Sequence, residues 1–162
     1  MSTPNDLIAH ALRDSMFMLK RFTDDLGPDE YLHRPTEKAN CAAWLIGHLA
    51  LSDRSVLERL GAKDLPALPE GFQKRFSRDE GCPQAGDFGD VSQIWPVFEK
   101  HRTALINFVQ RAPLEMIDKP VEKPHPMFAT LGELANFMAL HVAMHAGQIT
   151  TIRRSLGRPP IV

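Results

Sequence analysis

Residues 130–157 read TLGELANFMALHVAMHAGQITTIRRSLG, and this stretch decides the fold. Thr130-Leu-Gly-Glu133 has the form of a capping box: a threonine oxygen closes one exposed amide and a glutamate three residues on closes another. Gly157 followed by Arg-Pro-Pro supplies a stop, because glycine accepts the left-handed turn and proline cannot extend a helix. The spacing therefore predicts a helix from Thr130 to about Leu156. At roughly 100° per residue with His141 at zero, Leu134 and Ile152 fall at about 20°, Met138 at about 60° and His145 at about 40°. On the same step Gln148 falls at about −20° and Phe137 at about −40°. His141 and His145 thus share a face within the apolar stripe and are expected to point into a helical core.

Working outward, proline and glycine mark off three more long segments. A first helix runs from about Pro4 to Leu26 and stops at Gly27-Pro28, with Leu7, Ala11, Ser15, Met18, Phe22 and Leu26 as its stripe. The second opens at Asn40, read as the N-cap, and ends at Gly61. A third covers about Val91 to Arg111, with Val91, Ile94, Trp95, Phe98, Leu105 and Val109 on its apolar side. Pro96 kinks it or makes it start later. Strand signals are nearly absent, since no turn is flanked by alternating β-branched runs. Four amphipathic helices predict an all-α protein, a four-helix bundle whose long crossover connection joins helices two and three. That connection, from Gly61 to Asp90, is too long for a tight turn and is expected to be functional or to cross over the bundle. Residues 118–127, DKPVEKPHPM, read as a rigid proline-rich connector.

The chain of 162 residues suits one domain spanning 1–162. With 19 basic and 20 acidic residues its formal net charge is −1, so it has no basic field for nucleic acid. No apolar run approaches the roughly 20 residues needed to cross a bilayer, and the N-terminus lacks a signal-peptide pattern. The spacing of Cys41 and Cys82 marks no metal-type CxxC pair and no obvious disulfide framework. The expectation is a cytoplasmic protein with no membrane contact.

Two imidazoles in an apolar face cost free energy unless their nitrogens find partners, and one metal ion satisfies both. His48 lies in WLIGHLALSD, an apolar neighbourhood on the second helix, and supplies a third imidazole. Three neutral imidazoles suit a divalent transition ion, zinc, nickel or iron(II), and leave a coordination position open, the mark of a catalytic site. His141, His145 and His48 are therefore the expected metal ligands. Of the others, His10 reads as a boundary residue beside Asp14. His101 reads as a half-exposed boundary residue or a contact bordering the site, and His33 and His125 lie in loops with no assigned role.

A family resemblance follows from these residues. Gly47-His48-Leu49-Ala50, the run His141 to Ile149 (H-x3-H-x-G-Q-I), the ending Leu156 to Pro160, and Leu68-Pro69-Glu70-Gly71-Phe72 in the long connection together resemble the DinB-like superfamily. The likeness implies a four-helix bundle with a divalent metal on His48, His141 and His145. It also implies that the second and fourth helices are neighbours and that a homodimer forms. Some members of that family are thiol-dependent transferases or isomerases.

The leading expectation is a metal-dependent enzyme, a thiol S-transferase or a hydrolase, acting on a small-molecule substrate with a low-molecular-weight thiol as partner. Gln148, one turn beyond His145, is placed to bond the reacting group or to tie the helix to a neighbour. Trp44 and Phe137 would be apolar walls, and Gly147 would allow close helix packing. Asp14, Asp53 and Glu99 are candidate acceptors for orienting the imidazoles. Two readings stand beside this one: a non-catalytic metal-binding or interaction module, and a metal-free bundle with hydrogen-bonded histidines.

Overall fold

Helix α1 (Pro4–Thr23) begins at Thr3, whose hydroxyl accepts from the Asp6 amide while the Asp6 carboxylate accepts from the Thr3 amide at 2.9 Å. The computed structural model that shows this describes residues 2–161, and the side chain of Pro124 lies outside the description. Along the chain follow α2 (Pro28–Leu32), α3 (Ala42–Arg59), α4 (Phe72–Phe76), α5 (Ile94–Arg111), α6 (Leu114–Ile117), β1 (Pro120–His125), β2 (Phe128–Thr130) and α7 (Leu131–Ser155). The four long helices are α1, α3, α5 and α7, as the sequence predicts. No helix among the described residues is long and apolar enough to cross a membrane.

The capping box at Thr130 and Glu133 is present, and Gly61 and Gly157 close α3 and α7 at positive φ. Other local expectations shift. The N-cap of α3 is Cys41, not Asn40. Helix α5 starts at Ile94, after a 3₁₀ turn over Val91–Gln93, so Pro96 sits in the first turn, where it removes no helical bond. The buried face of α1 is rotated from the expected stripe: Leu12 and Leu19 are fully buried, while Leu7 is 62% exposed. Residues 120–130 hold a two-stranded antiparallel hairpin where no strand was expected. Its turn is closed by the Met127 amide donating to His125 Nδ1 at 3.1 Å, a side-chain bond that strand propensity does not register.

Side-by-side packing gives the ring order α1–α5–α3–α7. Directions follow from pairs near the helix ends. Asn5, at the start of α1, donates to the carbonyl of Val109 at the end of α5, at 2.8 Å. Arg153, at the end of α7, reaches the carbonyl of Phe22, at the end of α1, at 3.2 Å. From the end of α3 the connection returns along its own helix. Arg54 donates to the carbonyl of Pro66, the Phe76 ring packs on Gly47, and Cys82 lies beside Cys41. Hence α3 and α5 are parallel and α1 and α7 run opposite to both. The segment between α3 and α5 is the crossover that the sequence called for.

At the bundle's centre lies Arg102 of α5, fully buried. Its Nε donates to Asp53 Oδ2 at 2.7 Å and its Nη2 to Asp53 Oδ1 at 2.9 Å, a bidentate pair with α3. Nη1 reaches Ser15 of α1 and Nη2 the Met138 carbonyl of α7, each at 3.3 Å. One guanidinium therefore touches all four long helices. Burial pushes the Asp53 carboxyl up to about 6 against the pull of Arg102, so desolvation offsets much of the attraction. Asp53→Ala is predicted to cost about 3–5 kcal/mol by urea denaturation, because it strands a buried cation. The double variant Asp53→Leu with Arg102→Met should cost less than the single variant. Equal or greater loss in the double variant would contradict this.

Candidate metal centre

His48 sits on α3, and His141 and His145 on α7, which packs beside α3 in antiparallel sense. A ligand nitrogen from each of the three lies within 4.8 Å of the others. His145 Nε2 and His141 Nε2 are 3.0 Å apart, and the His48 ring meets both edge-on, at centroid distances of 5.3 and 5.5 Å. Two imidazole nitrogens on one tetrahedral zinc, each about 2.0–2.1 Å from the ion, would be about 3.3 Å apart. The observed separation suits a shared ion.

Burial is the first cause of the charge state of all three rings. It lowers His48 to about 4, with further repulsion from His145 and Arg78, and the Phe76 backbone opposes. It lowers His141 to about 3, with repulsion from His145, His48, Arg102 and Arg78. His145 is also held below the ordinary histidine range, Gln148 opposing. The imidazoles are thus neutral near pH 7 and present lone pairs, as metal ligands must. His145 Nδ1 is 2.8 Å from Gln148 Oε1. An amide oxygen only accepts, so Nδ1 carries the proton and Nε2 presents its lone pair, here toward His141 Nε2. His141 Nδ1 is buried without a partner. These residues fit a divalent ion.

The expected depth of the site needs correction. All three histidines are half-buried, and Gln148 and Gly147 are exposed, so Gly147 is not a packing contact. The buried apolar side chains of α7 are Leu134, Ala135, Met138, Val142, Ala146, Ile149 and Ile152, centred about 80° from His141 at 100° per residue. Val142 and Ile149 lie on that face with the small Ala135 and Ala146, while Leu140 and Met144 are exposed, so the stripe is rotated from the expected one. His141 and His145 lie at its edge and open into a cleft of about 880 Å³.

Trp44 stacks on His48 with centroids 4.9 Å apart and planes 3° from parallel, which fixes that ring. Phe137 lies nearly parallel to His141 at 6.1 Å, and His125, Phe128 and Phe137 continue the aromatic wall. The hairpin thus brings His125 to the cleft, a contribution the sequence reading did not assign. Arg78, from the crossover, also lines it and was likewise missed, since nothing in a polar loop marks one arginine out. The proposed orienting carboxylates are absent from this role. Asp53 is bound to Arg102, Asp14 is exposed beside His10, and Glu99 is exposed and not among the residues lining the cleft. His101 is fully buried, its Nδ1 2.8 Å from the Val97 carbonyl, and it does not border the cleft. His33 instead meets Ser155 Oγ at 2.9 Å.

Fold and site together define a helical bundle bearing a three-histidine cluster able to hold a metal ion. The sequence model of the DinB superfamily matches residues 11–149, and the chain belongs to that superfamily. No curated protein and no solved structure matches it.

The lowered pKa values set a pH window. Three independent histidines of ordinary pKa would lose roughly 50-fold in metal affinity between pH 7.5 and 6.0, as protons compete. Here His48 and His141 are still neutral at pH 6.0. Zinc affinity, measured by chelator competition, should therefore fall by less than about four-fold over that interval. A 50-fold fall would show that the rings titrate normally.

Proposed function

We propose that the chain is a divalent-metal-dependent enzyme that sets a low-molecular-weight thiol, or water, against an electrophilic small molecule held in the cleft. The observation that carries this reading is the position of the three neutral imidazoles at the wall of an open cleft of about 880 Å³ rather than in a sealed core. A structural metal site is closed by protein ligands, whereas a catalytic one keeps a position for the reactant. His48, His141 and His145 would hold the ion, and zinc, nickel or iron(II) would suit them. Bound there, the ion supplies a Lewis acid that lowers the pKa of a coordinated thiol or water.

The chain's own groups complete the arrangement. Gln148 holds the His145 tautomer, and Trp44 holds the His48 plane. Phe128 and Phe137 offer an apolar wall for the electrophile. Arg78 places positive charge on the same cleft, and no ion pair among the described residues engages it, which favours an anionic group on the thiol or substrate. A second copy of the chain is the protein partner this reading expects. Leu7 and Phe17 of α1 and Leu140 and Met144 of α7 are large apolar side chains left exposed.

Protein purified without an affinity tag should carry about one transition-metal ion per chain, and His48→Ala should lose it. With a panel of electrophiles, turnover that requires glutathione, cysteine or coenzyme A identifies a transferase; turnover without thiol identifies a hydrolase. In either case His48→Ala should lower kcat/KM by on the order of 100-fold or more, since ligand loss removes at least what loss of a supporting residue does. Metal-loaded protein inactive in both arms would overturn the enzyme reading in favour of a non-catalytic metal-binding module. Wild-type protein without metal would overturn the site itself.

A further inference from the structure

Cys41 is fully buried at the start of α3, and Cys82 lies half-buried in the crossover, yet their sulfurs are 3.8 Å apart. The return of the connection along α3 brings them together, so no sequence spacing announces the pair. The two thiols are held in unlike surroundings. Arg34 Nη2 donates to Cys82 Sγ at 3.0 Å and to the Cys82 carbonyl at 2.9 Å, and it also bonds the Pro83 carbonyl. A guanidinium is thereby fixed against one sulfur only.

We propose that Cys41 and Cys82 form a reversible dithiol–disulfide site, in which Cys82 attacks a low-molecular-weight disulfide and Cys41 resolves the product. The chemistry balances in two exchanges. The Cys82 thiolate forms a bond to one sulfur of the small disulfide, whose S–S bond breaks and releases one thiolate. Cys41, losing its proton to solvent or to that thiolate, then bonds Cys82 sulfur and expels the second small thiol. The protein dithiol is oxidised by two electrons, and the small disulfide is reduced to two thiols. Reduction by a thiol in excess runs the same steps backwards.

The division of roles follows from the surroundings. A hydrogen bond from the Cys41 thiol, the Cys41 backbone and the Arg34 charge lower Cys82 to about 6 against the effect of burial. The same hydrogen bond and burial push Cys41 up. A thiolate exists near pH 7 at Cys82, the half-exposed residue, and the buried thiol waits behind it. Asn40 and Gly81, the chain neighbours of the two cysteines, line the metal cleft. A disulfide here therefore ties the crossover to α3 at the cleft's rim. This inference does not depend on the metal reading.

The test treats the reduced full-length protein with oxidised glutathione, quenches with iodoacetamide, and reads intact and peptide masses. Wild type should lose two hydrogens, yield a peptide linking Cys41 to Cys82, and recover both thiols in dithiothreitol. Cys41→Ala should stop at a glutathione adduct on Cys82, and Arg34→Gln should form the wild-type disulfide several-fold more slowly. The proposal is overturned if both thiols survive, if wild type stops at the Cys82 adduct, or if Cys82→Ala reacts equally fast at Cys41.

Discussion

Arg102 is the constraint on which the rest of the structure depends. A guanidinium with no exposed surface must have its donors answered inside the protein, and here Asp53, Ser15 and Met138 answer them from three other helices. Apolar packing would tolerate small slips of one helix along another. A bidentate carboxylate pair does not, because its two bonds fix direction as well as distance. Since Asp53 lies five residues beyond His48 and Met138 three before His141, the interaction that registers α3 and α7 also sets where their histidines meet.

The site shows a division between the core and the cleft. His141 and His145 sit where α7 turns from its buried alanines and valine toward solvent, and His48 meets them from α3, deep enough to stay neutral and shallow enough to be reached. Gly47 has a related part, because a side chain there would run into the Phe76 ring. Its absence lets α4 lie against α3 and carry Ser77 and Arg78 to the cleft. The crossover is thus a wall of the site as well as a link between parallel helices.

Much of this was legible in the sequence. The four long helices, the capping box at Thr130 and the pairing of His141 with His145 follow from local chemistry: periodicity, side-chain caps, and imidazoles spaced one turn apart. His48 joins them through the family resemblance, because its helix must lie beside theirs. The crossover followed from length. What was not legible depends on contacts between distant segments. His101 lies off the centre of its helix's apolar stripe, and its burial comes from the elements packed around that helix. The hairpin at 120–130 is a backbone ladder between β1 and β2 with a His125 side-chain bond at its turn, and the meeting of Cys41 with Cys82 is created by the return path of the crossover. The phase of α7 differs from the expected stripe by most of a quarter turn, because which of its large apolar residues are covered depends on the helices packed against it: Val142 and Ile149 are buried, Leu140 and Met144 exposed.

The central claim is that three imidazoles bind one ion at the edge of the bundle. X-ray absorption at the metal edge of the zinc-loaded protein tests it most directly. The expected result is about three imidazole nitrogens at about 2.0–2.1 Å, with the remaining scatterers light. A sulfur shell near about 2.3 Å, or fewer than two imidazoles, would place the ion elsewhere and contradict it.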